Sequence, residues 1–490
     1  MSELVTGFAL VAVVLTIAGL ASGIVERAPL SFPIIFLGLG FLLGHGGLGI
    51  LEIGPESLLL ETVATLTLAM VLCLEAVRIG NIGMGGAGFV PILSLGPGTV
   101  IIVGVIAAGA YFLFDLSLIA ALLIGTILAS TDPVVLRDVV REERIPSSVR
   151  QALNIEAGTN DIVVLPTLLI LIALANDAAS GAGGWAILVD EVLILGPVIG
   201  FGLSAVGAYL MSWADKKYGV SEVYQSLYGV GITLLAYATA TALGGDGFLA
   251  AFAAGFAVAI LNFDLCQCFL DYGETTSEMA MLLSFILFGV VISDLFGEVP
   301  LIPALILAAI VIFIARPLAI GIVLRKAAIS NRARAFIGWF GPRGLNSLLL
   351  ALLVVQAGVA NSELILAIVG VVVTVSVIAH GASATPLSSA YGKAVEDETH
   401  EEERDDVGGI FEGDASGSIR IKPSRLAEML ESEDRPIVLD VRTRSQYEAD
   451  RSSIPGSERV SPDRIEDWVQ EREEAYGSQT HGQRIVAYCT

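Results

Sequence analysis

The stretch that decides the fold is Leu153–Ile170, LNIEAGTNDIVVLPTLLI, inside an apolar run from 149 to 174 that has no Lys or Arg after Arg150. A helix needs roughly 20 residues, at about 1.5 Å each, to cross a bilayer. Glu156, Asn160 and Asp161 lie in the first half of this stretch. An ionised carboxylate near the middle of a span costs at least about 2.5–3.5 kcal/mol. The pattern predicts a transmembrane helix with an ion or proton site; the alternative is a partnered acid that only packs helices.

The composition places the chain among membrane proteins. It has 490 residues, of which 54% are hydrophobic and 16% charged, with a mean hydropathy of +0.77, too apolar for a soluble globular protein. About half of the 50 acidic residues lie after residue 393, and this acidic portion is typical of a protein from a high-salt cytoplasm. Met1–Val25 lacks the basic region of a cleavable signal. The four cysteines predict no disulfide framework, and Cys266-x-Cys268 is an isolated pair more often incidental than metal-binding.

The hydrophobic runs predict an all-α polytopic fold with thirteen transmembrane helices. The predicted spans, numbered 1 to 13 in chain order, are 4–25, 30–50, 58–78, 89–113, 116–137, 149–174, 186–211, 222–243, 247–262, 277–296, 300–324, 334–358 and 363–387.

Loop charges predict the orientation by the positive-inside rule. The even-numbered loops contain acids but no Lys or Arg. The odd-numbered loops and the tail contain Arg27, Arg78, Arg137, Arg141, Arg144, Arg150, Lys216, Lys217, Arg325, Lys326, Arg332, Arg334 and Lys393. We therefore expect the N-terminus outside and the C-terminus inside a cell membrane, although the predicted inner loop at 264–274 has no basic residue.

An odd number of spans predicts two inverted six-helix repeats, spans 1–6 and 8–13, joined by span 7. Spans 5 and 12 are then counterparts, and each is interrupted, by Ala129–Pro133 and by Gly341–Gly344. Proline removes a backbone donor and clashes with the preceding turn. Broken helices at matching positions of two halves indicate a transporter's midplane site. We expect Asp132 and Arg343 to neutralise the opposed half-helix ends.

Other charged residues also lie inside the spans. Glu156 and Arg343 are predicted to form a buried structural ion pair, which leaves Asp161 as the titrating group. Arg316, before Pro317, is expected to pair with another acid or to cap a helix break. Glu75 fits a pathway role or an interface role equally well. His380, inside span 13, is expected to be satisfied by a neighbouring residue. Near the outer ends of spans, three acids are expected to form an acidic vestibule: Asp190, Glu191 and Asp294.

Three motifs together resemble the signature of the monovalent cation–proton antiporters, in the sodium/proton exchanger branch with an Asn-Asp pair. They are Thr131–Pro133 (TDP), Glu156–Asp161 (EAGTND) and Gly341–Gly344 (GPRG). Leu74–Arg78, Ala315–Pro317 and His380–Ser383 add further matches.

This resemblance implies a homodimer that works by alternating access, with a dimer domain of spans 1–3 and 7–10 and a moving core of spans 4–6 and 11–13. It implies that the Na⁺ ligands are Asp161, Glu156, the Thr131 carbonyl and, directly or through water, Asp132. It implies that Asn160 orients the site, and that Arg343 pairs with Glu156. The family often has Ser where this chain has Ala157, which removes one possible hydroxyl ligand.

The chain divides by composition into a transmembrane domain at 1–392, an acidic linker at 393–417 and a small α/β segment at 418–490. A helix is predicted at Arg425–Glu431, and strands at 437–439 and 485–488. Asp440–Arg442, Tyr447, Ile454–Gly456 and Tyr488–Cys489 resemble a rhodanese-like domain. In that family a loop after the cysteine stabilises a persulfide. Since only Thr490 follows Cys489, and Asp450–Ser453 replaces the family's Gly-His, we expect this segment to be incomplete as an active site.

These features predict a secondary Na⁺ (or Li⁺)/H⁺ antiporter serving pH and sodium homeostasis, not an enzyme. Asn160 stands where related charge-moving antiporters have a second Asp, which favours electroneutral one-for-one exchange. The alternatives are a K⁺/H⁺ antiporter, a membrane-tethered sulfurtransferase or redox sensor, and a cation channel. An anchor would not need buried acids, and a channel would not need matched broken helices. The expected partners are a monovalent cation, H⁺, membrane lipid and a second copy of the chain, with no further cofactor and no nucleic acid.

Overall fold

The computed structural model describes residues 32–82, 93–142, 145–176, 189–261, 263–297, 299–326, 329–396, 435–441, 453–460 and 485–488, with scattered residues between 5 and 20 and at 184, 426, 429, 430 and 468. The chain forms two compact units, Met1–Ala415 and Ser416–Thr490.

Predicted spans 2 to 6 coincide with helices of the first unit, whereas span 1 lies largely outside the described residues. These helices are α1 (Phe32–Leu43), α2 (Leu58–Ile82), α3 (Thr99–Phe114), α4 (Leu118–Ile127), α5 (Pro133–Arg141), α6 (Ser147–Thr159) and α7 (Asp161–Ala175). A π-helical turn, Ser94–Gly98, contains Pro97 and leads into α3. Span 5 is formed by α4 and α5, and span 6 by α6 and α7.

Predicted spans 7 to 13 also coincide with helices. These are α8 (Gly196–Tyr218), α9 (Glu222–Ala242), α10 (Gly247–Leu261), α11 (Phe263–Leu295), α12 (Leu301–Ile310), α13 (Arg316–Val323), α14 (Asn331–Trp339), α15 (Leu345–Gln356) and α16 (Ser362–Glu396). Seven of the described helical stretches are long and apolar enough to cross a membrane. The predicted all-α polytopic fold with interrupted spans 5 and 12 is confirmed.

The interruptions follow from local sequence. Ser117 caps α4, where its hydroxyl accepts a hydrogen bond from the Ala120 N–H, and Ser330 caps α14 in the same way. Pro133 stands at the first position of α5, where its missing N–H costs nothing. A π-helical turn at Val311–Ala315 separates α12 from α13, so that span 11 is also irregular near its middle.

The helices pack in two groups. Helices α1, α2 and α8–α11 pack mainly against one another, and helices α3–α7 and α12–α16 do the same. In the first group, Gly255 of α10 lies so close to the Cys73 carbonyl of α2 that a Cβ would overlap it. The candidate site is carried by the second group and faces the first.

The second unit contains a parallel sheet. Its strands are β1 (Ile437–Asp440), β2 (Glu458–Arg459) and β3 (Ile485–Tyr488), in the order β2-β1-β3. Ile437 of β1 is in register with Ile485 of β3. The two predicted strands are confirmed, and β2 is an additional short strand. The predicted helix at Arg425–Glu431 lies mostly outside the described residues.

Candidate ion-binding site

Two unwound segments cross inside the first unit, 128–132 between α4 and α5, and 340–344 between α14 and α15. The Asp132 N–H donates to the Pro342 carbonyl at 2.9 Å. The Leu345 N–H, at the start of α15, donates to Asp132 Oδ2 at 2.7 Å. Each segment thus provides hydrogen-bond partners for polar groups of the other. A buried break in a helix requires such partners, because its backbone groups have lost their helical ones.

Gly344 allows the close approach of the two segments. A Cβ at this position would overlap the Asp132 carboxylate. The Asp132 carboxylate is held in place by the hydrogen bond from the Leu345 N–H. Position 344 therefore has room only for a residue without a Cβ.

Asp132 and Arg343 each face a half-helix end of opposite partial charge. Asp132 accepts from the first N–H of α15. Arg343 Nη1 donates to the carbonyls of Ala129 and Ser130, just beyond the end of α4, at 2.9 and 3.0 Å. Helix N-termini favour anions and C-termini favour cations, so the expected neutralisation of the opposed ends is confirmed.

Asp161 lies at this crossing and is held by two neutral side chains. Ser130 Oγ donates to Oδ1 at 2.8 Å, and Asn346 Nδ2 donates to Oδ2 at 2.9 Å. Asp161 is 3% exposed, and within the described part of the chain it forms no ion pair. A buried carboxylate without a base is costly unless a proton or a cation joins it.

The Asn160 side chain of span 6 forms hydrogen bonds to the unwound segment of span 5. Its Nδ2 donates to the Ala129 carbonyl at 2.8 Å and to Thr131 Oγ1 at 3.1 Å. The backbone of Asn160 remains helical (φ −60°, ψ −38°). The side chain thus sets the position of the segment that contains Thr131 and Asp132, as an orienting residue would.

The predicted ion pair between Glu156 and Arg343 is wrong. Glu156 binds Arg316 instead, through Nη1–Oε1 at 2.5 Å and Nη2–Oε2 at 3.0 Å. Arg316 Nε also donates to the Ile337 carbonyl at 3.1 Å. Arg316 directly follows a π-helical turn, and its side chain reaches Glu156 of α6, whereas Arg343 Nη1 donates to the carbonyls at the end of α4. The expectation that Arg316 would pair with another acid is confirmed.

His380 of α16 connects both ends of the unwound segment in span 12. The Arg343 N–H donates to Ser376 Oγ at 2.8 Å, and Ser376 Oγ lies 3.2 Å from His380 Nδ1. His380 Nε2 lies 3.0 Å from the Trp339 carbonyl, and its Nδ1 also lies 2.9 Å from the Ser376 carbonyl. The expectation that a neighbour satisfies His380 is confirmed.

Glu75 of α2 approaches the site from the other helix group. It is 1% exposed, and its Oε1 lies 3.5 Å from Asn346 Nδ2, the amide that also bonds Asp161. The structure therefore brings Thr131, Asp132, Asn160, Asp161 and Glu75 to one region.

Several predicted positions do not join this region. Asp190 and Asp294 are exposed at span ends. Cys489 and Tyr447 lie outside the described residues, as do the side chains of Glu191, Cys266 and Cys268. The sequence interpretation assigned no role to Ser130 or Ser376 and missed Asn346. Asn346 had a usable signal, because it is an amide in an apolar span, two residues after the Gly-Pro-Arg-Gly break.

Crossed discontinuous helices around buried polar residues are characteristic of secondary transporters. Residues 11–390 match the family model described as sodium/hydrogen exchanger, transmembrane. The chain belongs to this family. Residues 422–490 match the rhodanese-like domain, so a rhodanese-like segment follows the transmembrane part.

Two proteins with similar sequences are named as antiporters. The chain is 27% identical over 390 residues to the K(+)/H(+) antiporter NhaP of Alkalimonas amylolytica, covering 77% of this chain and 65% of the relative. It is 30% identical over 408 residues to the K(+)/H(+) antiporter NhaP2 of Shewanella oneidensis, covering 78% and 67%. The chain thus spans about two thirds of the length of these relatives.

The fold is also similar to a solved structure, that of the sodium proton antiporter MjNhaP1 from Methanocaldococcus jannaschii at pH 8. The TM-score is 0.63 at 20% identity, and the match covers 81% of this chain and 100% of the other. At this identity the match shows the shared fold.

Proposed function

We propose that the chain is a secondary antiporter that exchanges a monovalent cation for H⁺, with Asp161 as the group that both ions occupy in turn. One observation carries the proposal: Asp161 is buried at the crossing of two broken helices, hydrogen-bonded by Ser130 and Asn346 and without a basic partner among the described residues. Such a carboxylate is stabilised by either ion, and alternation between them couples the two fluxes.

The test is Asp161→Asn in proteoliposomes, with cation-induced proton movement followed by a pH-sensitive dye. We expect exchange to be lost while the protein remains folded, since Asn is nearly the same size but carries no charge. Asp294→Asn, which removes an exposed acid from α11, is the matched control and should exchange like the wild type. Cation-dependent proton flux in a folded Asp161→Asn variant would refute the assignment.

We propose Na⁺ (or Li⁺) as the cation, with Asp161, the Thr131 carbonyl and, directly or through water, Asp132 as its ligands. Hard cations prefer such oxygen ligands. Both Glu156 oxygens already accept bonds from Arg316, so we assign Glu156 to holding α6 against α13. K⁺ is the second candidate, because the relatives from Alkalimonas and Shewanella are named K(+)/H(+) antiporters. Side-by-side exchange with Na⁺, Li⁺ and K⁺ distinguishes them.

We further propose electroneutral one-for-one exchange. Within the helix group that carries the site, the acids Asp132 and Glu156 are offset by the bases Arg343 and Arg316. Asp161 adds one uncompensated negative charge, which one H⁺ or one monovalent cation neutralises. The two ions then compete for one carboxylate, so the apparent cation affinity should weaken as pH falls. An exchange end point that shifts with membrane potential, clamped with K⁺ and valinomycin during Na⁺/H⁺ exchange, would contradict this stoichiometry.

The proposal also includes the sequence-based expectations on the membrane, the orientation, the oligomeric state and the physiological role. We propose a cell-membrane homodimer with the N-terminus outside, the tail inside and a role in pH and sodium homeostasis. The basic residues of the predicted inner loops support the orientation, and accessibility labelling of cysteines introduced into the loops tests it. Cross-linking in native membranes tests the dimer.

A further inference from the structure

A groove of about 510 Å³ lies between α14 and α16, outside the candidate ion-binding site. Its lining consists of one residue of α14 and five of α16: Trp339, Ala379, Ala382, Ser383, Pro386 and Leu387. Three of them, Ala382, Pro386 and Leu387, are exposed. Because all of these residues belong to predicted spans 12 and 13, the groove is open on the protein surface at the depth of the bilayer hydrocarbon.

The two polar side-chain groups of the lining are already satisfied within the protein. Trp339 Nε1 donates to Ser383 Oγ at 3.1 Å, and Ser383 Oγ donates to the His380 carbonyl at 3.3 Å. The rest of the lining is apolar. Such a surface is better covered by a hydrocarbon chain than by an ion or by water.

Two basic residues lie beyond one end of this groove. Arg332 is seven residues before Trp339 in α14, and Lys393 is seven residues after Pro386 in α16. Seven residues are nearly two helical turns, so each basic residue shares a helix face with a groove residue and lies about 10 Å further toward the predicted inner side. Both are exposed, and Arg332 Nη1 donates to the carbonyl of Ala394 at 3.5 Å, which places the two cations side by side.

An apolar groove with two cations beyond its inner end matches an amphipathic anion. Long basic side chains reach the headgroup level of a bilayer, and each one near the surface favours anionic lipids. We propose that the groove binds an acyl chain of an anionic phospholipid, whose phosphate lies against Arg332 and Lys393. This site goes beyond the exchange of ions and does not depend on it.

The bound chain packs against the residue at which span 12 unwinds. Trp339 is the last residue of α14, and its carbonyl lies 3.0 Å from His380 Nε2. The unwound segment 340–344 follows directly. The lipid therefore contacts the helix break next to the candidate site without using any of the proposed cation ligands.

The experiment measures quenching of Trp339 by phospholipids with brominated acyl chains. A Trp185→Phe/Trp213→Phe/Trp468→Phe variant leaves Trp339 as the one tryptophan of the chain. It is reconstituted in phosphatidylcholine that contains a minor share of brominated phosphatidylglycerol or, for comparison, of brominated phosphatidylcholine. Quenching should report at least about fivefold tighter binding of phosphatidylglycerol, the effect expected of one basic residue near an anionic headgroup. This preference should weaken as salt is added.

Two variants separate the headgroup from the chain. Arg332→Gln/Lys393→Gln should reduce the preference for phosphatidylglycerol to less than about twofold, because it removes the charges that the phosphate contacts. Ala382→Leu keeps both charges but fills part of the groove, so it should also reduce the preference. Lys216→Gln/Lys217→Gln is the matched control, since it removes two exposed charges from the inner end of α8 in the other helix group, and it should keep the wild-type preference.

Three results would overturn the site. Equal quenching by the two brominated lipids would show that the cations select no headgroup. An unchanged preference in Ala382→Leu would show that the chain does not occupy the groove. Quenching by neither lipid would show that protein covers the groove, either a second copy or the acidic run at 396–406. If the triple tryptophan variant does not fold, the same comparison is made on the part of the wild-type quenching that Trp339→Phe removes.

Discussion

Replacing Arg316 should destabilise the protein through Glu156. Both side chains are nearly buried, with 3% and 6% exposure, so water screens their interaction little. Arg316→Gln removes a bidentate ion pair and a bond to the Ile337 carbonyl, and it leaves the Glu156 charge without a base. Breaking one side of such a pair costs about 3–5 kcal/mol, which we expect as the loss in free energy of unfolding.

A double-mutant cycle isolates the pair. Glu156→Gln/Arg316→Gln should be more stable than the sum of the single changes predicts, with a coupling energy of about 2–3 kcal/mol, at the upper end for contacting residues. The same cycle with Arg343→Gln should give less than about 1 kcal/mol, because Arg343 bonds the carbonyls of Ala129 and Ser130 instead.

The assay is equilibrium unfolding in mixed micelles of mild detergent and SDS, followed by tryptophan fluorescence. Arg325→Gln is the matched control, since Arg325 is exposed at the end of the same span, and it should change stability by no more than about 0.5 kcal/mol. A larger coupling of Glu156 to Arg343 than to Arg316 would refute the pairing.

Three other changes probe the crossing and the tail. Gly344→Ala should abolish exchange, because the added Cβ would overlap the Asp132 carboxylate. Gly321→Ala is the control and should keep exchange, because its Cβ would meet open space. Equal activity of the two variants would refute the steric argument. Ser376→Ala should cost about 1–3 kcal/mol of stability, because it leaves the Arg343 N–H without its acceptor, and Ser376→Thr should recover most of it; an unchanged unfolding curve for Ser376→Ala would contradict this role. Removal of residues 418–490 should leave measurable basal exchange in vesicles, and complete loss in a well-folded truncation would make the tail part of the transport unit.

The sequence predicted the spans and the two breaks because both depend on local signals. Hydrophobic runs of bilayer length predict the helices, and Pro133 and the Gly341–Gly344 motif mark where two of them are interrupted. The neutralising roles of Asp132 and Arg343 followed from the same local geometry, since each residue lies inside its own break.

The partner of Glu156 could not be predicted in this way. Two buried arginines were available, Arg316 in span 11 and Arg343 in span 12, and which of them reaches Glu156 depends on how the spans pack against each other. The shared amide of Asn346 was also hidden, because its contacts reach Glu75 and Asp161 across three different spans. Local patterns carry no information on which distant side chains meet.

The proposed one-for-one exchange depends on which charges belong to the part of the protein that carries the site. Glu156, Asp161 and Arg316 lie in helices of the second group, and Asp132 and Arg343 lie in the two unwound segments of that group. If alternating access moves this group relative to the other, the carboxylates of Asp132 and Glu156 move together with the two arginines that offset them. Under the proposal, Asp161 is then the one carboxylate of the group whose charge is neutralised by a cation in one direction and by a proton in the other.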